Sequence, residues 1–367
     1  MVSTNSKDAD KLPSASISEE ESVKSTTKPS RGTSTSKTET NYLRTIRSRF
    51  RRTGFSKQAT DIMCSSWRTE TQKRYACYVA KWRRYAHSRH IDPISPSISE
   101  AVNFLAHLYK SGLGYSAICV ARSALSSYLN IADVVDFGQH KIVRRFMKGV
   151  FELKPVLPKY SHTWDVDTVL NVLECYAPND KLTLKELSHK LVMLLALLTG
   201  QRCQTIHKLS VKSMKLEDNK CVFYITSLLK QSKQGKHLAP IELLSFPRNK
   251  NICVVEVIKE YLRRTKVFRD GHTQLLLSYL KPHLPISKDT LARWIRDVLH
   301  KAGVDTQFGA HSTRSASTSA AASKGLPIDI VLKAAGWSSA STFTRFYKRE
   351  PVTNMGQTIL ESYFHQK

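Results

Sequence analysis

The chain has 367 residues, enough for two globular cores, with 41% hydrophobic residues and 57 Lys and Arg against 30 Asp and Glu. A formal charge of +27 and a pI near 9.9 point to a polyanionic partner, because neutralising phosphates releases condensed counterions. No run of about 20 apolar residues occurs and the Met1 end is polar, so neither a membrane span nor a secretory signal is expected, and nucleic acid is favoured over an anionic membrane surface.

Residues 1 to about 42 are Ser, Thr, Lys and Glu with almost no large apolar side chain, so a disordered tail is expected. Arg44, Arg47, Arg49, Arg51 and Arg52 follow, a basic cluster suited to phosphate contact, to a nuclear address, or to nothing beyond solvation. Four helical patterns then run from Thr60 to Phe151. Tyr75, Val79, Trp82 and Ala86 mark the buried stripe of the first, with Lys73, Arg74, Lys81, Arg83 and Arg84 on its other faces. The second opens on Ser97 and Glu100, a capping box, buries Val102, Leu105, Leu108 and Tyr109, and stops at Gly112 and Gly114. Ile118, Ala121, Leu125 and Tyr128 line the third, which also carries Arg122. Val143, Phe146 and Val150 line the fourth beside Lys141, Arg144, Arg145 and Lys148. A helical domain with basic faces is predicted, gripping DNA from one side through candidates Arg74, Lys81, Arg84, Arg122, Lys141, Arg144 and Arg145.

Pro155 and Pro158 break the periodicity, placing a domain boundary near residue 157. Beyond it, Val169, Leu170 and Leu173 suggest a helix, and Leu184 to Thr199 a well-buried one capped by Gly200, two residues before Arg202. The segments CVFYIT and HLAPIEL read as strands of a hairpin around KQSKQGK, with Lys233 near its tip. Helical patterns resume at Ile252 to Arg264, and at Ser287 to His300 with Leu291, Trp294, Ile295 and Leu299 inward. The small residues Ser315 to Ser323 suggest a tightly packed helix with His311 and Arg314 near its N-terminal end, where the positive pole favours phosphate. The second domain is predicted to be mainly helical with a small sheet. The seven cysteines (Cys64, Cys77, Cys119, Cys175, Cys203, Cys221 and Cys253) are odd in number and never form CxxC, so they read as reduced thiols of an intracellular protein.

Arg202, Lys233, His311, Arg314, Trp337 and Tyr347, in that order and in the contexts LLTGQRCQTI, KQSKQG, HSTR, AAGW and FY, resemble the active-site series of the tyrosine recombinases, or phage-integrase family. The stretch AAGWSSASTFTRFY looks most like the recombinases of DIRS and Ngaro retrotransposons and Cryptons. The resemblance implies a helical, SAM-like core-binding domain over residues 43–157 and a DNA breaking-rejoining catalytic domain over residues 158–367. It also implies a transesterification without metal or other cofactor, and no carboxylate cluster suited to two metals is seen in the sequence. Tyr347 would attack a DNA phosphorus to leave a 3′-phosphotyrosyl link, Arg202 and Arg314 would hold the non-bridging oxygens, and Lys233 would protonate the departing 5′-oxygen. His311 would assist proton transfer, and the Trp337 indole N–H would donate to the phosphate. Lys230 and Lys236 lie on the same hairpin and compete for the role of general acid.

Thr205 stands where many members carry an acidic residue, Trp337 replaces a commoner His, and the step from Trp337 to Tyr347 is one residue longer than usual. Strand exchange needs four cleaved ends, so the resemblance implies a tetramer on paired duplex sites, in the nucleus for a eukaryotic element. Ile359, Leu360, Tyr363 and Phe364, beyond the Tyr, form an apolar set able to dock in cis or in trans. The alternatives are a domesticated DNA-binding protein without turnover, and a type IB topoisomerase-like enzyme that relaxes supercoils.

Overall fold

The computed structural model describes residues 34–130, 136–156, 160, 162–232, 234–235, 238–337 and 340–346, with only the backbone described at 34–41, 342, 345 and 346. The chain divides into two compact units, residues 1–157 and 158–367.

The first unit is a helical cluster: α1 (Ser34–Arg52), α2 (Lys57–Cys64), α3 (Thr69–His87), α4 (Ile98–Lys110), α5 (Tyr115–Tyr128) and α6 (Lys141–Leu153). α3 packs on α1 and α5, and α4 on α5 and α6. Val79, Trp82 and Ala86 of the expected α3 stripe are buried, joined by Ala76, whereas Tyr75 is only half-buried at the margin. Trp82 anchors the stripe, with Nε1 donating to Pro93 O at 2.8 Å and its ring 5.3 Å from Phe104. α4 begins as expected, since the Ser97 side chain accepts from Glu100 N and the Glu100 carboxylate accepts from Ser97 N. Its buried side is Ala101, Phe104, Leu105 and Leu108, with Val102 and Tyr109 at the margin. The third stripe, Ile118, Ala121, Leu125 and Tyr128, is buried on α5. On α6, Val143, Met147 and Val150 go inward while Phe146 is half-buried.

One correction concerns the tail. Helix α1 starts at Ser34, inside the segment expected to lack structure, because Tyr42 supplies an anchor that the polar composition hides. Tyr42 is buried, shares a hydrogen bond with Ser127 Oγ at 2.9 Å, and lies against the rings of Tyr75 and Tyr128. Burial pushes its phenol up to about 12. The basic cluster is also divided in use. Arg49 donates to the carbonyls of Ser127 and Leu129, each at 3.1 Å, and so caps the end of α5, while Arg47 pairs with Asp61 at 3.2 Å. Arg44, Arg51 and Arg52 stay exposed.

The second unit is built round α8 (Leu184–Thr199). From Leu191 to Leu198 its sequence is apolar on every side, and such a helix belongs inside a domain. It packs against α10 (Val254–Thr265), α11 (Lys288–Lys301), α12 (Ser312–Ser323) and the short α9 (Cys203–His207). Its polar residues Ser188, His189 and Lys190 are buried too. Lys190 Nζ donates to Tyr176 O and, at 2.9 Å, to Asn179 Oδ1, closing the end of α7 (Val166–Cys175), and burial pushes its pKa down to about 8. The expected hairpin is present as β2 (Lys220–Phe223) and β3 (Ile241–Leu244), antiparallel with Phe223 opposite Ile241. A further strand, β1 (Met214–Leu216), pairs with β2 and is too short to show an alternating pattern. α13 (Ile328–Ala335) and α14 (Ala340–Phe346) complete the unit.

Candidate active site

Arg202 owes its place to the end of α8. Gly200 takes the left-handed conformation (φ 56°) that ends the helix. The turn leads directly into α9, whose N-cap is Arg202, so the end of a rigid, buried helix fixes the half-buried arginine. α12 packs across the same helix end. Its N-cap is His311, exposed at the surface, and Arg314 lies in its first turn, buried to 1% exposure. Arg314 Nη1 donates to Gly200 O at 2.6 Å. One turn later Ser317 Oγ donates to Leu197 O, an approach that only small residues on α12 permit.

Trp337 arrives by the same device. Gly336 (φ 68°) ends α13, and Trp337 N then bonds to Leu332 O at 2.9 Å. The indole is 8% exposed, 5.6 Å from the Phe343 ring, and Arg314's guanidinium carbon lies 4.1 Å from its ring centroid. Packing and placement of Arg314 are thus one role for this side chain. α14 ends at Phe346, directly before Tyr347. Tyr347, Lys233 and Lys236 lie outside the described residues, as do residues 359–364 of the apolar C-terminal set.

The turn just before Lys233 is described. Leu229, 1% exposed, anchors it, and Leu229 N donates to Ser232 Oγ at 2.9 Å. Two side chains from either side cross-link it to the start of α9. Gln204 Oε1 accepts from Lys230 N at 3.2 Å, and Gln231 Oε1 accepts from Arg202 Nη1 at 2.6 Å. Gln201, itself buried, donates through Nε2 to Ala334 O at 2.6 Å. The structure therefore brings Arg202, Arg314 and Trp337 to one locus, with His311 at the N-cap of α12 and the turn at 229–232 beside Arg202.

Sequence reasoning missed Gln201, Gln204 and Gln231, and the segment that holds the His311 loop. Tyr160 Oη accepts from Gly309 N at 3.2 Å, and its ring is 5.0 Å from Phe308. Trp164 Nε1 donates to Ser312 Oγ at 2.9 Å, and that hydroxyl donates to Gly309 O at 2.8 Å. Only the proximity of glutamines to Arg202 and Lys233 in the chain gave a signal. Nearby, burial raises the Cys203 thiol and lowers the His207 imidazole, whose Nε2 lies 2.9 Å from Ile286 O. Among the described residues no three of His, Cys, Asp and Glu gather as a metal site, and no helix is long and apolar enough to cross a membrane.

Residues 170–352 match the model of the phage integrase family, a span that contains all six positions singled out in the sequence. This catalytic domain belongs to the phage integrase family of tyrosine recombinase enzymes. A search of curated proteins returns no significant match. Among solved structures, the chain is similar to the Tn1549 transposon integrase in complex with transposon right-end DNA, at 14% identity and TM-score 0.53, over 88% of this chain and 98% of that one. It is also similar to a lambda integrase dimer bound to a COC′ core site, at 14% identity and TM-score 0.51, over 86% and 96%. A lambda integrase tetramer bound to a Holliday junction matches at 16% identity and TM-score 0.50, over 86% and 78%. At these identities the likeness is one of fold.

On the first unit, Lys141, Arg144, Arg145 and Lys148 occupy a single exposed face of α6, at successive helical-turn spacings. Arg74 and Lys81 share a side of α3 with Arg84 nearby, and the Lys81 ammonium sits 5.5 Å from the Tyr78 ring centroid. Arg122 differs from these. It is half-buried on α5, its Nε is enclosed without a partner among the described residues, and it lies close enough to Tyr115 to affect that phenol.

Proposed function

We propose that the chain is a site-specific recombinase of a mobile element that cuts and rejoins duplex DNA through a 3′-phosphotyrosyl link at Tyr347. The observation that carries this reading is the convergence of Arg202 and Arg314 on Gly200, the first two residues beyond it and the second hydrogen-bonded to its carbonyl. Two forked cations held by the end of one buried helix suit the non-bridging oxygens of a single phosphate, whose charge grows in the transition state. Arg314, on the first turn of α12, adds the positive pole of that helix to its own charge.

In the proposed reaction the Tyr347 oxygen bonds to phosphorus as the 5′-oxygen leaves, so one phosphodiester replaces another and no nucleotide or metal is consumed. Lys233, two residues beyond Gln231, protonates the leaving oxygen; His311 relays the phenol proton; Trp337 keeps Arg314 in place and donates to phosphate. Tn1549 integrase, a transposon enzyme solved on its own DNA end, and the lambda tetramer on a Holliday junction support a mobile-element origin and a tetramer on paired sites. The context AAGWSSASTFTRFY supports a place beside DIRS, Ngaro and Crypton recombinases, and with the exposed arginines of α1 a nuclear location.

Nicked suicide duplexes made from the DNA flanking the gene test the reading. Wild type forms an adduct stable to denaturation, and Tyr347→Phe binds equally but forms none. An adduct at wild-type yield from Tyr347→Phe would place the nucleophile elsewhere. Salt-sensitive binding with no adduct from wild type would favour a DNA-binding protein without turnover.

A further inference from the structure

An arginine that must meet a phosphate has long, freely rotating bonds, and its catalytic value depends on being aimed before the substrate arrives. Thr205, three residues after Arg202, is buried to 2% exposure and offers no carboxylate for that purpose. The acceptor that does reach Arg202 comes from the other side of the site, 29 residues along the chain: Gln231 Oε1 lies 2.6 Å from Arg202 Nη1.

The geometry points to Gln231 as the positioning residue of this active site, an uncharged acceptor that aims Arg202 and ties the turn at 229–232 to it. This rests on the recombinase reading above. Three further observations support it. The Gln231 side chain is itself boxed in: a Cβ on Gly336 would come within 3.0 Å of its Nε2, and its Nε2 lies 3.5 Å from Gln201 Oε1. Gln201 is bonded in turn to Ala334 O, in the last turn of the helix before Trp337. The main chain beside it is pinned by a second glutamine, since Lys230 N donates to Gln204 Oε1. Arg202, the turn before Lys233 and the Gly336–Trp337 corner therefore form one hydrogen-bonded assembly with Gln231 at its centre.

An amide suits this task for an electrostatic reason. A carboxylate partner would orient Arg202 equally well but would set a negative charge beside the incoming phosphate and neutralise much of the guanidinium's attraction. The glutamine takes up one of the five N–H groups and leaves the full positive charge and four donors for substrate.

The test separates orientation from packing. Gln231→Met keeps the length and the contact with Gly336 but removes the acceptor; Gln231→Glu keeps the acceptor in the same place. On saturating nicked suicide duplex, Gln231→Met is expected to bind DNA and melt like wild type while its adduct-forming rate falls about 10- to 100-fold, the scale of a hydrogen bond to a charged group. Gln231→Glu is expected to stay well above Gln231→Met. Adduct formation by Gln231→Met at the wild-type rate, or equal losses in both variants, would overturn the assignment. A readout that needs no turnover runs alongside: in 15N-arginine spectra of the full chain, rotation of the Arg202 Nη groups is slow in wild type and Gln231→Glu and fast in Gln231→Met. Unchanged rotation in Gln231→Met overturns the Gln231 assignment alone. The expected rotation pattern with no adduct from wild type leaves Gln231 holding Arg202 and overturns the recombinase reading alone.

Discussion

His189 is where solvent pH reaches the core of the catalytic unit. Its imidazole, 1% exposed, sits 5.5 Å from the Trp294 ring and 5.9 Å from Tyr279, and Nε2 has no hydrogen-bond partner among the described residues. Burial pushes its pKa from 6.5 down to about 4, with Asp297 opposing and Lys185 and Lys301 assisting. The folded state thus stays neutral where the unfolded chain takes up a proton, so stability is full above pH 6.5 and is lost as pH falls toward 4. The loss from this one group comes to about 3 kcal/mol by pH 4. His189→Leu removes the titration and keeps the volume. Denaturant titrations at pH 7 and pH 4 are expected to show a smaller difference for the variant than for wild type, a comparison from which other titrating groups cancel. Equal differences would show that His189 is protonated within the fold. The same buried setting separates His189 from His311, exposed at the cap of α12 and near the arginines.

At the scale of elements, the proposed site depends on where helices stop. α8 ends at Gly200, whose left-handed backbone and close contact together exclude a side chain: a Cβ there would lie 3.0 Å from Thr318 Cγ2. Gly200→Ala is therefore expected to cost about 1–2 kcal/mol from the backbone alone and more from the clash with α12. It would also displace the carbonyl that holds Arg314. Gly303, after α11 in the same unit, has φ 74° with nothing within 4 Å of an added Cβ, so Gly303→Ala bears only the backbone cost. Thermal melts of the two variants should differ in that order, and only Gly200→Ala should lose adduct formation beyond its loss of folded protein. Equal melting temperatures would mean that α12 shifts to admit the methyl group. The end at Gly200 was legible in the sequence because a Gly after a long apolar run is a local signal, as were the Ser97 capping box, the stripe of α5 and most of that of α3. The start of α1 was not legible, since a single Tyr42 in a polar stretch gains its burial from α3 and α5, far along the chain. Neither was the role of Gln231: a glutamine in a polar hairpin turn carries no local sign that Arg202 and Gly336 will fold against it. Local rules find caps and faces; contacts closed by tertiary packing appear only in three dimensions.

At the scale of the whole molecule, the +27 charge is not spread uniformly in its use. Arg49 is spent on the carbonyls at the end of α5, Arg47 pairs with Asp61, and Arg122 is partly enclosed, so the cations free to meet a polyanion are fewer than the composition suggests. A dense exposed set on one element is the α6 face of Lys141, Arg144, Arg145 and Lys148, where Glu152 is the one acidic residue of the helix. Four like charges along one helix face repel one another and weaken the helix slightly, a cost that a row of phosphates would reverse. Each phosphate contact contributes about 0.9 to the slope of log affinity against log salt on duplex DNA. Replacing Lys141, Arg144 and Arg145 together by Ala is expected to lower that slope by roughly 2–3 and to weaken binding to all duplex sequences alike. Arg122→Ala is expected to change the slope little and to act through packing on α5. Fluorescence titrations of a random-sequence duplex between low and moderate salt measure both. A triple variant with the wild-type slope would move the DNA-facing side of the first unit away from α6 and toward α3, where Arg74, Lys81 and Arg84 stand.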